Sequence, residues 1–401
     1  MWRNITSTAL SLAVVLLIVI GGLVAWGQRQ YSEPGPLDTA ICLQVRPGSS
    51  FTRVSNKLAD QGAVASAPIL RIGASYAGKT QSLKAGSFLV PEHASMAQIV
   101  DIVTRGGAST CGTEIVYRIG IASAELRLRE LDPATERFVL KASFAPDAAE
   151  VPADYLRLRE AADTRYRVAM AEGVTSWQVM DALNKLDFLD GSIDALPPEG
   201  MLAPDSYEVR PGDKRADVIA RMNTAQEARL AEAWANRADG LPYGTPQEAL
   251  IRASIIEKET GLSSERREVA GVFVNRLRRG MRLQTDPTVI YGITKGQVVL
   301  GRGLRQSELR AETPYNTYVV KGLPPTPICN PGLASIEAAL HPAETDYIFF
   351  VADGSGGHAF SATLEEHNRN VARWREIEAG RANQWRRGGR SLGESSGNIT
   401  L

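Results

Sequence analysis

Hydrophobic positions cluster first at the amino terminus. From Ile5 to Gln28 no residue is charged, and Ala9 to Trp26 is almost wholly apolar. A helix of roughly 20 such residues spans a bilayer. A cleaved leader has a shorter apolar core, about 7 to 15 residues, followed by small residues at the cleavage point. Here the run is longer and ends in Trp26-Gly27-Gln28-Arg29, which favours a retained anchor. The amino terminus and Arg3 favour a cytoplasmic start, an argument that Arg29 on the far side weakens. Pro34-Gly35-Pro36 cannot continue a helix and reads as a short linker.

Beyond the linker the periodicity changes, and a pattern occurs twice. From Val45 a strand-like start meets Gly48, then a helical stretch puts Val54 and Leu58 four apart on one face. Gly173, Val179 and Leu183 repeat those offsets. Ala85 to Pro91 with a helix through Ile99 is echoed by Pro204 to Pro211 with a helix through Ile219. Two related small α/β units are expected. Between them, Glu114 to Ile121, Glu125 to Leu131 and Arg137 to Ala142 alternate apolar and charged residues, as half-buried strands do. From about Asn223 the pattern turns helical. The stretch Arg387 to Leu401, rich in glycine, serine and arginine, is too poor in apolar residues for a core and is expected to be disordered.

Candidate chemistry lies in the helical part. Thr245-Pro246-Gln247-Glu248 is a capping box with proline at the first helical position, opening a helix that stops near Gly261. Its apolar residues occur around much of its circumference, so neighbours should cover most of it. Glu257 lies in line with Leu250 and Ala253, whereas Glu259 points elsewhere. A carboxyl among apolar neighbours is costly to ionise and can carry a proton, as a general acid must. The alternative is a structural Glu257 paired with Arg252, Arg276 or Arg282. A second helix starts near Ser264 and ends at Gly280. Gln284-Thr285-Asp286, just before Pro287, should form a turn whose side chains face a ligand, or a plain Asx turn in which Asp286 caps backbone amides.

Composition adds mainly exclusions. Among 401 residues, 45 Lys and Arg balance 45 Asp and Glu, so no overall field gathers nucleic acid. Arg276-Leu277-Arg278-Arg279 lacks interleaved aromatics and sits on an amphipathic helix whose outer face would be charged in any case. His93, His341, His358 and His367 show no paired-ligand spacing, and Gly354 to Gly357 lacks the rest of a phosphate loop. Neither metal nor cofactor is expected. Cys42 and Cys111 bracket the first small unit. An exported location would permit a disulfide, which the sequence leaves open because it cannot supply the separation. Cys329 reads as a small buried residue.

Several ordered motifs resemble one family, the YceG-like endolytic murein transglycosylases. They are Ser254 to Thr260, Asn275 to Tyr291, Pro314 to Tyr318, Gly322 to Pro325, Asn330-Pro331-Gly332, and Gly357 to Phe360 followed by Glu366-His367-Asn368. Thr326 and Cys329 stand where smaller or less reactive residues are expected, and the β insertion is longer than in the commonest members. The resemblance implies an α+β chain: cytoplasmic residues 1–7, a transmembrane helix 8–27, a linker 28–40, a LysM-like unit 41–110, the β insertion 111–165, a second LysM-like unit 166–222, a catalytic domain 223–386 and the tail 387–401.

It further implies that Glu257 is catalytic. The reaction would be endolytic cleavage of the β-1,4 bond between N-acetylmuramic acid and N-acetylglucosamine in nascent peptidoglycan, leaving 1,6-anhydro ends and terminating glycan chains. A single carboxyl suffices where the sugar's own C6 hydroxyl replaces water. Gln284, Asp286, Tyr315, Asn316 and Tyr318 are candidate groove residues, although such tyrosines also occur in cores with a satisfied hydroxyl. Expected partners are glycan strands and peptidoglycan synthases of the elongation or division machinery, with the catalytic part in the periplasm on an inner-membrane anchor. The competing reading is a non-catalytic peptidoglycan-binding or divisome scaffold protein.

Overall fold

The computed structural model describes residues 2–105, 110–161 and 163–393, with backbone alone for 2–11, 13 and 382–393. The chain forms two compact units, Met1–Tyr117 with Glu125–Arg167, and Arg118–Ala124 with Val168–Leu401.

The first unit opens with α1 (Trp2–Ser32), in which Val14–Ser32 is long and apolar enough to cross a membrane. Strand β1 (Ile41–Val45), helices α2 (Phe51–Asp60) and α3 (Ala67–Tyr76), strand β2 (Gly86–Val90) and helix α4 (Met96–Thr104) follow. β1 and β2 pair antiparallel, from Ile41 opposite Val90 to Val45 opposite Gly86. Ser50, Ser66 and Ser95 cap the three short helices through their hydroxyls, which is why each starts where it does. Leu43, Leu58, Leu70, Val90 and Ile99 form the core. At Gly73 a Cβ would lie 2.2 Å from the Tyr31 ring, so only glycine lets α1 approach α3 here. The connection from α1 to β1 is tied down: Gly35 N–H donates to His93 O at 3.0 Å, His93 N–H donates to Leu37 O at 2.8 Å, and Leu37 is buried. Cys42 and Cys111 form a disulfide with Cα atoms 5.7 Å apart.

Strands β3 (Thr113–Ile119), β4 (Ala124–Asp132) and β5 (Arg137–Phe144), helix α5 (Ala153–Leu158) and strand β6 (Arg165–Met170) come next. The strand order in the first unit is β5-β4-β3-β6. Glu114 is buried there among Arg129, Arg165 and Arg167, the last at 2.8 Å.

In the second unit the ends of β3 and β6 continue into β7 (Ser206–Val209), reached through α6 (Ser176–Asn184). Long α7 (Arg215–Ala235) leads to α8 (Pro246–Glu259), a single 3-10 turn (Ser263–Glu265) and α9 (Arg266–Arg278). Then follow α10 (Asp286–Thr294), α11 (Gln306–Arg310), α12 (Leu333–Leu340), the antiparallel hairpin β8 (Phe349–Ala352) and β9 (His358–Ser361), and α13 (Leu364–Gly393). The tail expected at 387–401 is helical in its backbone to Gly393, and 394–401 lie outside the described residues.

The core of this unit surrounds α8. Every residue from Ala249 to Ile256 is buried, with α12 and α9 packed against the helix. Leu250, Ile255 and Ile256 are fully covered, each contributing roughly 1.5–3 kcal/mol relative to exposure.

The twice-occurring pattern has a structural counterpart in each copy. Gly48 and Gly173 both adopt positive φ (75° and 80°), and Val54, Leu58, Val179 and Leu183 are all buried. The copies differ between the first helix and the second strand, where the first has α3 and the second has a loop across Pro197 to Gly200.

Candidate functional site

The site grows from the carboxyl end of α8. Thr245 accepts from Glu248 N–H while Glu248 returns a bond to Thr245 N–H, and Pro246 supplies the first helical residue. The helix delivers Glu257 half-buried, in its last turn. Its Oε2 accepts a hydrogen bond at 3.1 Å from Gly332 N–H. Two of the three arginines that could have claimed it are turned elsewhere, and Arg282 is exposed. Arg252 is fully buried and donates to the Tyr243 hydroxyl at 2.7 Å and to the Ala270 carbonyl. Arg276 donates to Ile348 O and Leu283 O, both at 2.6 Å.

Gly332 also meets a second carboxyl. A Cβ there would lie 1.7 Å from Glu172 Oε1, so the absence of a side chain is what admits Glu172. Glu172 comes from the loop after β6, held in place by Asn330. Asn330 N–H donates to Val174 O at 2.9 Å, and Gly173 N–H donates to Asn330 O at 2.9 Å. The Asn330 carboxamide donates to Val174 O at 3.0 Å and accepts from Leu202 N–H at 2.9 Å. Gly173, with φ 80°, would bring a Cβ to 3.7 Å from Glu257 Cγ. Burial first, then the charge of Glu257, pushes the Glu172 carboxyl above its ordinary range, opposed by Arg266 and Arg229. Arg266 stands 3.7 Å from Glu172.

Glu259 is drawn in on another side of the helix. Burial, together with the charge of Asp286, raises its carboxyl, against the pull of His358 and Arg276. His358 is bound to Glu265 by both its backbone N–H (2.9 Å) and its Nδ1 (2.8 Å). Asp286 accepts from the Tyr318 hydroxyl at 2.6 Å. The expected turn at Gln284-Thr285-Asp286 is only partly a turn. Gln284 is left-handed at φ 50° with its side chain exposed, whereas Asp286 and Pro287 open α10, since proline is tolerated where amides lack helical partners.

Tyr315 stands apart from that group. Its hydroxyl bonds the Thr326 hydroxyl at 2.8 Å, and its ring packs against Tyr291 and under Lys295. Tyr291 in turn donates to Glu199 at 3.0 Å, and burial raises the Glu199 carboxyl. Asn316 is fully buried, donating to the carbonyls of Glu308, Leu309 and Ala311 and accepting from Tyr318 N–H. Its carboxamide serves the loop. The structure thus brings Asp286 and Tyr318 together beside Glu259, leaves Gln284 open to solvent, and sets Tyr315 among other aromatics.

Sequence reasoning missed Glu172. The available signal was a departure within the twofold pattern, because Pro47 precedes Gly48 in the first copy where Glu172 precedes Gly173 in the second. Among the described residues no three His, Cys, Asp or Glu side chains gather closely enough to hold a metal ion.

The chain is 38% identical over 175 residues to an endolytic murein transglycosylase of Bacillus subtilis, covering 43% of this chain and 47% of that protein. It is 33% identical over 181 residues to one of Streptococcus pneumoniae, covering 43% and 32%. The match therefore spans half or less of the length of these relatives. A crystal structure of a YceG-like protein from Listeria monocytogenes aligns over 82% of this chain and 98% of that one, with 26% identity and a TM-score of 0.45. The profile of the YceG-like family matches residues 144–373, more than half of the chain, and on that match the chain belongs to the YceG-like family.

Proposed function

We propose that the chain is a membrane-anchored lytic transglycosylase that cuts glycan strands of peptidoglycan from within, with Glu257 as its acid and base. The observation that carries this reading is the setting of Glu257: half-buried at the end of a covered helix, bonded to a backbone amide and, among the described residues, to no arginine. Membership of the YceG-like family and the names of the matched relatives add support.

In the proposed reaction Glu257 gives its proton to the bridging oxygen between N-acetylmuramic acid and N-acetylglucosamine, and the bond from that oxygen to the muramyl C1 breaks. The muramyl C6 oxygen then bonds to C1, and its proton passes to the Glu257 carboxylate. Glu257 ends protonated, no water is consumed, and the products carry one 1,6-anhydro end and one free 4-hydroxyl. The Gly332 amide steadies the carboxylate formed between the two steps. Asp286 and Tyr318 offer hydrogen-bonding groups to sugar hydroxyls, Gln284 and Tyr315 are further groove contacts, and Asn316 shapes the loop that carries Tyr318. The repeated units at 41–110 and 166–222 act as LysM-like supports for the strand. Helix α1 holds the protein in the inner membrane with its bulk in the periplasm, where peptidoglycan synthases supply nascent strands and cleavage terminates them.

The test is digestion of purified murein by the full chain, with the products analysed by mass spectrometry. Anhydro-ended fragments are expected. Free reducing ends would indicate a hydrolase, and retention without cleavage a binding scaffold. Glu257→Gln should lose about two to four orders of magnitude in rate while keeping its fold by circular dichroism, and near-normal activity would refute the assignment.

A further inference from the structure

We propose that the Glu172 carboxyl, set beside Glu257 at Gly332, is a positioning charge that keeps the acid loaded for the first step of cleavage. This rests on the reading of Glu257 given above. Three features of the second unit carry it.

The first is proximity. Both carboxyls touch Gly332, one through its amide and one against its bare Cα, so by covalent lengths they lie within about 8 Å of each other. The second is that the approach is built in. Gly332 has no Cβ to exclude Glu172, Gly173 takes a left-handed backbone beside Glu257, and Asn330 ties the segment carrying one carboxyl to the segment carrying the amide. The third is that Glu172, with 46% of its side chain exposed, is held by Arg266 only in a long ion pair. Its separation of 3.7 Å from Arg266 is longer than the 2.7–2.9 Å typical of a charge-assisted hydrogen bond.

Like charges brought close together oppose each other, which favours a proton on one of the two carboxyls. The raised Glu172 carboxyl, for which Glu257 is the largest cause after burial, agrees with this coupling. The charged groups opposing it are Arg266 of α9 and Arg229 of α7, and Arg229 is itself engaged by Asp205 and the Pro204 carbonyl. A loaded acid beside a second carboxyl suits the proposed cycle. Once Glu257 has given up its proton, Glu172 can hold one and spare the site two adjacent negative charges.

The experiment compares the full chain with Glu172→Gln, Glu172→Asp and Glu257→Gln, measuring murein cleavage from pH 5 to 9. In Glu172→Gln the alkaline limb of the profile should move about 0.5–1 pH unit lower, with the rate at the acid end retained within a few-fold. Glu172→Asp, which keeps the charge, should restore the limb. A loss by the same factor at every pH, or an unmoved limb, would overturn the proposal and leave Glu172 a structural residue. A second readout does not depend on activity: a 13C-carboxyl NMR titration in which the Glu172 resonance is assigned by its disappearance in Glu172→Gln. Its midpoint should fall in Glu257→Gln, and a midpoint that stays put overturns the pairing. Full activity of Glu257→Gln together with a shifted midpoint would instead refute the role of Glu257 while leaving the coupling intact.

Discussion

A carboxamide shut away from water needs partners for two donors and an acceptor, and Asn330 finds them in the segments it joins. Removing it as Asn330→Ala leaves the Leu202 amide without its partner at a fully buried position, while the Val174 carbonyl keeps the bond from the residue's own backbone N–H. An unsatisfied buried group costs about 1–3 kcal/mol, so a stability loss of that size is expected in urea denaturation, with murein cleavage reduced because Glu172 and Gly332 lose their common frame. Glu199 behaves oppositely. Its carboxyl is raised in the fold by burial, so the native state binds its proton more tightly than the unfolded chain does. Below the unfolded value both states are protonated and nothing is lost. As pH rises from there through the folded value, stability declines. Glu199→Gln removes this term, and its melting temperature should fall less between pH 4 and pH 7 than that of the unaltered protein, as scanning calorimetry at several pH values would show. Legibility at this scale was uneven. Glu257 stood in a motif and in line with apolar neighbours, whereas Asn316 and Tyr318, two positions apart, looked alike as polar members of one block. Only the fold separates Asn316, turned inward to three carbonyls, from Tyr318, turned to Asp286.

Helices announced themselves where local chemistry dictates their ends. The capping box at Thr245 and the proline after it locate the start of α8, and the apolar circumference foretells its burial. The cap is worth about 1 kcal/mol, so Thr245→Ala should lower stability by that amount in a denaturant melt while leaving the cleavage products unchanged, since Thr245 lies at the end of α8 remote from Glu257. The alternating strands β3 to β5 were legible for a similar reason, because period two is written directly into residue order. The start of α10 was not. Gln284-Thr285-Asp286 before Pro287 suits a turn and a first helical turn equally, and the Gln284 and Thr285 amides, which donate to the Thr317 carbonyl and hydroxyl, come from a remote segment. Glu172 escaped for the same cause. What sets it beside Gly332 is a pairing of distant stretches, on which hydrophobic periodicity is silent.

At the scale of the whole chain, two units imply two melting events. The Cys42–Cys111 disulfide lies wholly within the first unit and closes a sequence separation of 69 residues. Cross-links of this kind contribute about 2–4 kcal/mol. The double variant C42S/C111S should lower the first unit's transition in scanning calorimetry while leaving that of the second in place. The stem between α1 and β1 has a mechanical meaning. Residues 33–40 are not a slack tether, because Gly35, Leu37 and His93 fasten them to the first unit and Gly73 lets Tyr31 settle against α3. On the proposed anchoring, a stem without slack mounts the first unit at a set height above the lipid.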